Sequence, residues 1–283
     1  MADAAAAAAM LSAMAAFALS DLFAKRLGAA GVPALELVGL RLLCLGLWLG
    51  CLLARGARIR RPRHPWLQLL RGLCIVGSAL LFVAGLARLP LAMATALVFS
   101  SPIFVTLLST ALLRERVPAA RWLWVAVGFA GVGVVAGPSP AGFEAAALLP
   151  VASSLVWAVA MVCTRRIGAD DDAFTTQVCS CAAGLACAAL VLSGEFHAPS
   201  RLSPAQWAEA LAMGIAWTFA QWQVARAYAR AEASSVAPLA YTQMLWAALL
   251  AWVVMQQPPS LRTLAGSAVI ALAGLGMLRV GAR

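Results

Sequence analysis

Charged residues are scarce in this chain, and their scarcity decides which solvent surrounds the protein. They make up 11% of the 283 residues, whereas apolar residues make up 63%, against roughly 45–50% in soluble domains. A soluble protein of this length needs far more polar surface to cover its exterior. Several apolar runs reach the roughly 20 residues that a helix needs to cross a bilayer core. The composition therefore predicts a membrane protein with the lipid bilayer as its partner.

Groups that carry catalysis or bind metals are equally sparse. The only two histidines, His64 and His197, fall in loops on opposite predicted sides of the membrane. A serine nucleophile such as Ser78 needs a base within hydrogen-bond reach, and neither histidine meets this need. The sequence also has no metal-ligand spacing and no Walker-type phosphate loop. We therefore predict no catalytic residue, no metal, no cofactor and no pumping driven by ATP.

The apolar runs divide the chain into ten predicted spans of an all-α membrane protein. The spans are Ala5–Phe23, Leu35–Leu53, Trp66–Leu86, Leu91–Leu113, Trp122–Ala136, Ala145–Val162, Ala173–Leu192, Trp207–Tyr228, Val236–Met255 and Leu264–Leu278. The first is interpreted as a retained helix, because the N-terminal segment has neither the basic region nor the cleavage site of a signal peptide. The fifth and tenth spans are rich in glycine, which permits close packing within one chain or between two copies of a homodimer.

Clusters of arginine set the predicted orientation. Fourteen of the 21 basic residues fall in the loops and tail on the side of the N-terminus, and five fall on the opposite side. Because cytoplasmic loops are enriched in Arg and Lys, the sequence predicts that both termini are cytoplasmic. The Ala- and Arg-rich composition fits a bacterial genome, so we expect a bacterial inner-membrane protein. The same short clusters account for the net charge of +10 without a continuous basic face, so we predict no nucleic-acid partner.

Three short motifs recur at a nearly constant spacing. Lys25-Arg26-Leu27-Gly28-Ala29 corresponds to Arg165-Arg166-Ile167-Gly168-Ala169, Ala87-Arg88 to Ala229-Arg230, and Gly131-x-Gly133 to Gly274-x-Gly276. They indicate two related domains of five helices each, residues 1–140 and 141–283. Because five is odd, the second domain enters the membrane upside down relative to the first. Inverted repeats of this kind are typical of secondary transporters, whose two halves form one central site.

A family resemblance agrees with the repeat. It is carried by Leu70-Arg71-Gly72, Ser78 through Phe82, Leu89-Pro90-Leu91-Ala92, Pro102 through Glu115, Gly128 through Val132, Ala237 through Gln243, and Trp246. These stretches resemble the EamA repeats of the drug/metabolite transporter superfamily, and Asp21, Lys25 and Arg41 are similar to one bacterial branch of it. One departure is Gln256-Gln257, where the family often has Gly-Glu. The resemblance implies ten helices around a central cavity and export of amino acids or other metabolites, although some relatives import riboflavin or exchange S-adenosylmethionine.

Few charged residues fall inside the predicted spans, and they lie near the span ends. Asp21 and Lys25 are four residues apart and can pair on one helical face. Arg41 follows Glu36 in the outer half of the second span, where it is costly unless it is paired or hydrated. Two readings of Arg41 stay open: a structural partner of Asp21 or Glu36, or an attractant for a substrate carboxylate. No carboxylate is expected near a midplane, so facilitated movement or exchange is as compatible with the sequence as proton antiport.

Neutral polar and aromatic side chains are what the predicted midplanes contain. The candidate substrate-binding residues are Phe17, Ser78, Phe82, Phe99, Ser101, Trp157, Trp217, Gln221, Tyr241, Gln243 and Trp246. Rings suit the apolar part of an amphipathic solute, and amide or hydroxyl groups suit its polar part. In the ninth span, Gln243 and Trp246 share a helical face, and a mid-membrane amide needs a hydrogen-bond partner.

Two prolines mark candidate hinges. Pro102 interrupts the fourth span and Pro238 opens the ninth, and a proline within a helix leaves a carbonyl without its N–H donor and permits a kink. We group Pro102 with Asp21, Glu36 and Arg41 as candidate gating or charge residues. The leading hypothesis is a secondary transporter that exports small amphipathic metabolites, most simply amino acids, by alternating access. The alternatives are import or exchange of another metabolite such as riboflavin or S-adenosylmethionine, and an ion channel.

Overall fold

The computed structural model describes residues 4–113, 118–136, 145–167, 171–192, 202–230 and 237–281. All regular structure in these ranges is helical. The helices are α1 (Ala4–Ala29), α2 (Ala34–Ala54), α3 (Pro65–Arg88), α4 (Leu91–Val98), α5 (Ser101–Leu113), α6 (Ala119–Ala136), α7 (Leu148–Ile167), α8 (Ala173–Leu192), α9 (Pro204–Arg230), α10 (Thr242–Val253) and α11 (Leu261–Gly281). Short 3₁₀ segments, Ala145–Ala147 and Ala237–Tyr241, lead into α7 and α10. The prediction of an all-α membrane protein is confirmed.

Each predicted span corresponds to a helical segment. Within the described ranges, five segments are long and apolar enough to cross a membrane: Ala4–Ala29, Ala34–Ala54, Pro65–Arg88, Leu91–Leu112 and Ala145–Thr164. Four shorter apolar helices are Trp122–Ala136, Phe174–Cys187, Leu239–Val253 and Leu261–Gly276. The remaining helix, α9, has 27 residues, which is about 40 Å at 1.5 Å per residue. It is less apolar because it carries residues such as Glu209, Gln221 and Arg226.

The fourth span is divided into two helices near Pro102. Helix α4 ends at Val98 and α5 begins at Ser101, because the proline has no N–H to donate to the carbonyl four residues earlier. The Ser100 hydroxyl lies at the break, donates to the Leu97 carbonyl at 2.7 Å and contacts the Ser154 hydroxyl of α7 at 2.7 Å. The interruption predicted from the sequence is therefore present, with a side-chain hydrogen bond beside it.

The helices of the two halves pack in reciprocal pairs. Helix α1 packs along α9, α3 along α7, α6 along α11, and α4 along α10; α2 contacts α9 and α8 contacts α3. When α4 and α5 are counted as one span, exchanging every span for the span five places away turns each pair either into another observed pair or into itself. This is the packing expected of two related five-helix halves. The predicted boundary at residues 140 and 141 lies outside the described residues.

Glycines allow α6 and α11 to approach closely. A Cβ atom at Gly131 would lie 2.9 Å from Ile270, and one at Gly266 would lie 2.9 Å from the Gly131 carbonyl oxygen. Neither position has room for a side chain without a shift of its neighbour. The glycine-rich spans therefore pack against each other within one chain, and a homodimer stays a prediction.

Polar contacts at the helix ends show which ends share a side of the membrane. Arg26 at the end of α1 pairs with Glu209 near the start of α9 at 2.7 Å. On the other side, the Arg63 backbone N–H donates to Asp171, and so joins the α2–α3 loop to the α7–α8 loop. A chain that crosses the membrane ten times places the α1–α2 and α8–α9 connections on one side and the α2–α3 and α7–α8 connections on the other, in agreement with both contacts. Which side faces the cytoplasm stays a prediction.

Candidate functional site

A small cavity lies where the two halves meet, among α2, α3, α7, α8 and α9. Its volume is about 50 Å³. The lining combines one cation, two amides, two indoles and several apolar side chains: Leu42, Leu45, Arg71, Ile75, Trp157, Gln177, Ser180, Cys181, Trp217 and Gln221. The lining of polar groups, aromatic rings and one charge makes this cavity the candidate site.

Arg71 is the charged group of the cavity. It lies six residues after the start of α3, about 9 Å along the helix axis, and it is 9% exposed. Its Nε donates to the Thr164 hydroxyl at 2.8 Å, and its Nη1 donates to the Ser180 hydroxyl and to the Thr176 carbonyl. Among the described residues no carboxylate pairs with it. The guanidinium therefore keeps its full positive charge available to the cavity.

Two hydroxyls beside Arg71 are oriented to accept. Thr164 donates its own proton to the Ala160 carbonyl at 2.8 Å, and Ser180 donates to the Thr176 carbonyl at 2.9 Å. Because each proton is already used within its own helix, the oxygen lone pairs are left for the guanidinium. These bonds hold the arginine in place but add no negative charge.

The residue after Arg71 permits this arrangement. A Cβ atom at Gly72 would lie 2.7 Å from the Ala183 Cβ and 3.2 Å from the Ser180 Cα. Helix α3 can approach α8 so closely only because position 72 has no side chain. The close approach brings the guanidinium of Arg71 within reach of Ser180.

Three of the predicted substrate-binding residues line the cavity. They are Trp157 on α7 and Trp217 and Gln221 on α9. The last two are four residues apart and share one face of α9. All three are half-buried, so two indole rings and an amide share the lining of the cavity with the arginine. Their role in binding stays a prediction.

A second buried polar cluster joins α1, α2 and α10. Arg41 and Asp21 are each 4% exposed, and the Arg41 Nη2 lies 3.0 Å from the Asp21 Oδ1. The Gln243 amide donates to the other carboxylate oxygen, Oδ2, at 3.1 Å. Arg41 thus has a carboxylate partner. Gln243, whose amide was expected to need a hydrogen-bond partner within the membrane, is bonded to the same carboxylate. Of the two readings of Arg41, the structure shows pairing with Asp21.

Two sequence expectations about these charges are wrong. Lys25 does not pair with Asp21; its ammonium donates to the Leu86 carbonyl at 3.0 Å and to the Leu89 carbonyl. Asp21 is also not near a helix end, because α1 runs to Ala29 rather than ending at Phe23. The carboxylate lies about 7 Å from the centre of the 26-residue helix, and so within the middle of the span.

The remaining predicted residues lie apart from the cavity. Phe99 and Tyr241 pack ring against ring, with centroids 5.4 Å apart, and link α4 to the segment before α10. The Ser78 and Ser153 hydroxyls join α3 to α7 at 3.0 Å, and Phe82 is buried in the core. Trp246 is 38% exposed and is not among the residues that line the cavity.

Four further residues complete the predicted set. Phe17 packs against the apolar cluster between α1 and α9. Ser101 is the first residue of α5, and Glu36 is half-buried in the first turn of α2. Pro102 follows the break between α4 and α5. None of the four is among the residues that line the cavity.

The sequence missed Arg71, Gln177 and Ser180 as site residues. A signal for Arg71 was available, because an ionisable residue inside a span is a functional candidate by default. The predicted third span began at Trp66 and placed the arginine at its edge. For Gln177 and Ser180, nothing in the sequence tells which face of α8 meets α3.

A larger cavity of about 250 Å³ lies between α10 and α11. It is lined mainly by small and aliphatic residues, and two of these, Leu245 and Leu264, are 70% and 45% exposed. Such side chains belong to the lipid-facing perimeter of a membrane protein. The cavity has no charged lining residue, so it is the weaker candidate for a polar solute.

Outside the spans, two aspartates organise the α7–α8 turn. Asp171 accepts from the Arg63 backbone N–H and from the Gln68 amide, both at 2.8 Å, and these hydrogen bonds lower the pKa of its carboxyl. Asp172 accepts from the Thr175 N–H and hydroxyl, each at 2.8 Å, which lowers its pKa in the same way. This second carboxylate caps the start of α8, and the first holds the α2–α3 loop in place.

Comparison with known proteins agrees with the two-half architecture. A family model described as the EamA-like transporter family matches residues 4–137 and again residues 145–279. A riboflavin transporter of Rhizobium johnstonii is 31% identical over 79% of this chain and 74% of its own length. A riboflavin transporter of Vibrio cholerae is 29% identical over 76% of this chain and 71% of its own.

Similarity extends to a protein named for export and to a solved fold. The pseudopaline exporter CntI of Pseudomonas aeruginosa is 28% identical over 88% of both chains. One crystal structure of a protein superposes with a TM-score of 0.66 over 98% of this chain and 99% of that one, at 23% identity, and this likeness concerns the fold alone. With both halves matched by the same family model, the chain belongs to the EamA-like transporter family of the drug/metabolite transporter superfamily, a family of multi-pass membrane transporters of small molecules.

Proposed function

We propose that the protein is a secondary transporter that exports small amphipathic metabolites with an anionic group, most simply amino acids, through the cavity around Arg71. The observation that carries this proposal is a buried guanidinium that faces a cavity and has no carboxylate partner among the described residues. Burying an unpaired charge costs several kcal/mol. A substrate carboxylate that enters the cavity offsets this cost, whereas a neutral solute does not.

The other lining residues suit the rest of an amino acid. The side-chain carbonyls of Gln177 and Gln221 can accept from an ammonium group, and the indole faces of Trp157 and Trp217 attract a cation and cover an apolar side chain. All four line the same cavity as Arg71. The set therefore offers one partner for each end of a zwitterion and rings for what lies between.

Entry of a solute requires the halves to separate. The cavity of about 50 Å³ is smaller than the roughly 300–1,000 Å³ of typical ligand pockets. Helices α2 and α3 come from one half and α7, α8 and α9 from the other, so relative movement of the halves opens the site. We assign the break beside Pro102 and the 3₁₀ segment Ala237–Tyr241 as the flexible points, in a bacterial inner membrane with both termini cytoplasmic.

Counterflow in proteoliposomes tests this function. The purified chain is reconstituted with an unlabelled solute inside, and uptake of the labelled solute is followed for a panel of amino acids, riboflavin and S-adenosylmethionine. We expect flux of at least one amino acid, and loss of that flux in Arg71→Gln. Absence of flux for every amino acid rejects the substrate class. Flux of riboflavin alone favours the second candidate, import or exchange of another metabolite, which the names of two relatives support.

A further inference from the structure

The linker between α2 and α3, residues 55–64, carries an unusual density of positive charge. It contains five arginines within nine residues and no acidic residue: Arg55, Arg58, Arg60, Arg61 and Arg63. All five are exposed. The linker joins two membrane-spanning helices that end at Ala54 and begin at Pro65, so it lies at the membrane surface, on the level of the lipid headgroups.

Among the described residues, the neighbouring carboxylates Asp171 and Asp172 form their hydrogen bonds with groups other than the guanidiniums of Arg55, Arg58 and Arg61. Asp171 is bound to the backbone N–H of Arg63 and to the Gln68 amide, and Asp172 is bound to Thr175. Two ion pairs join Arg26 to Glu209 and Arg41 to Asp21, and neither includes Arg55, Arg58 or Arg61. Within the part of the chain that the structure describes, the guanidinium groups of Arg55, Arg58 and Arg61 therefore have no carboxylate partner, and their hydrogen-bond donors can bind a group outside the chain.

The backbone of the linker is anchored while its side chains point outward. The Arg60 N–H donates to the Thr175 hydroxyl at 2.9 Å, and the Arg63 N–H donates to Asp171 at 2.8 Å. Both acceptors belong to the turn and first residues of α8. Because the main chain is fixed at two points, the arginines are presented as a preformed surface, and less conformational entropy is lost when they bind.

Exposed apolar side chains flank the arginines. Trp66, in the first turn of α3, is 79% exposed, and Ile59, within the linker, is 48% exposed. Indole rings favour the boundary between headgroups and acyl chains. A surface with guanidinium groups beside an interfacial tryptophan matches a phospholipid, which has a phosphate next to an apolar tail.

We propose that the basic linker is a binding surface for anionic phospholipid headgroups. Each guanidinium can donate two parallel hydrogen bonds to phosphate oxygens, and basic residues beside a membrane attract anionic lipid. The surface is independent of the central cavity and of the transported solute. It ties α2 and α3 of the first half, and through Asp171 the start of α8 in the second, to the lipid on one side of the membrane.

Native mass spectrometry of the purified full chain tests the proposal with phosphatidylglycerol and phosphatidylcholine offered in equal amounts. We expect the protein to retain phosphatidylglycerol in preference, and Arg58→Gln with Arg61→Gln to reduce the ratio of the two lipids by roughly 10- to 30-fold. The matched control is Arg88→Gln with Arg262→Gln, which removes two charges from the opposite side and should leave the ratio within about two-fold. Arg58→Lys with Arg61→Lys should retain most of the preference, because the charge is kept.

Four outcomes overturn the proposal. The first is an unchanged lipid ratio in the Gln variant, and the second is an equal loss in the control on the opposite side. The third is displacement of phosphatidylglycerol by inorganic phosphate at equal concentration, which would indicate a site for free anions instead of lipid. The thermal midpoint of each variant is measured in phosphatidylcholine nanodiscs to establish that the variant is folded. A folded Lys variant that has lost the preference likewise counts against recognition by charge.

Discussion

Two buried arginines, Arg41 and Arg71, have opposite electrostatic environments. Arg41 lies 3.0 Å from Asp21, whose second oxygen accepts from Gln243. Among the described residues, the groups that bind Arg71 are hydroxyl and carbonyl oxygens, and its side chain lines a cavity. The first charge is neutralised inside the protein by a carboxylate that also binds Gln243 of the second half. The charge of Arg71 is available to a solute that enters the cavity. Burial alone therefore does not identify a site arginine; the nature of its partner does.

The largest expected effect comes from breaking the paired arginine. Asp21→Asn leaves Arg41 buried without a counter-charge, and removal of one partner of a buried ion pair costs about 3–5 kcal/mol. We expect a large fall in the thermal midpoint of the purified protein. The double variant Asp21→Asn with Arg41→Gln should recover at least half of the loss, because neither charge is then unpaired. If the double variant is as unstable as the two single losses added together, the pair does not act as a unit.

A smaller fall in stability is expected from a change at Gln243, the third residue of the buried cluster with Asp21 and Arg41. Gln243→Leu removes the donor to the Asp21 Oδ2 and leaves that oxygen buried without a partner, at a cost of about 1–3 kcal/mol. Ser78→Ala is a suitable control, because its hydroxyl bonds to Ser153, which also bonds to a backbone carbonyl. The fall in thermal midpoint should be smaller for Gln243→Leu than for Asp21→Asn, and larger for Gln243→Leu than for Ser78→Ala. The reverse order would show that the amide is dispensable.

The tryptophan rings of the cavity around Arg71 are expected to contribute to binding of the transported solute. Trp217→Leu removes a ring that lines the cavity and should raise the KM for the transported solute by roughly five- to ten-fold, as expected for loss of about 1 kcal/mol of ring contact. Trp246→Leu is the matched control, since that ring is 38% exposed and outside the cavity. Equal effects of the two substitutions would contradict the assignment of the site to the cavity around Arg71.

The smallest effect concerns pH and the loop beneath the cavity. Hydrogen bonds from Arg63 and Gln68 lower the pKa of Asp171 in the folded protein. Its contribution to stability is therefore complete above the unfolded pKa of about 4 and is lost as the pH falls through the lower folded pKa. Asp171→Asn should lower the thermal midpoint slightly at pH 7, and the difference from wild type should shrink below pH 4. A difference in thermal midpoint that grows on acidification would contradict the lowered pKa of Asp171.

Much of the fold was predictable, because span length and apolar runs follow directly from the bilayer. The largest error in a span end was at α1, which continues to Ala29. Asp21, Lys25 and Arg26 lower the local hydropathy there, yet the helix persists because these side chains find partners on other elements. Partners of this kind depend on tertiary packing, which a single sequence does not display.

The candidate site was predictable only in part. Trp157, Trp217 and Gln221 were recognisable as polar or aromatic residues deep in spans, and they do line the cavity. Gln243 had the same signature and instead binds Asp21. Sequence shows how deep a residue lies but not which helix face meets which neighbour, so the choice between packing and cavity lining requires the structure.

The most direct test of the difference between the two arginines is the counterflow rate of Arg71→Gln, with the panel solute that the wild type transports fastest. The rate is normalised to the folded protein in the liposomes. Loss of a charge-assisted contact worth about 1.5–3 kcal/mol predicts a fall of roughly 10- to 150-fold in kcat/KM. The thermal midpoint should fall less than in Asp21→Asn, because among the described residues no carboxylate loses a partner when Arg71 is replaced. A transport rate equal to that of wild type in a folded Arg71→Gln protein would contradict the account.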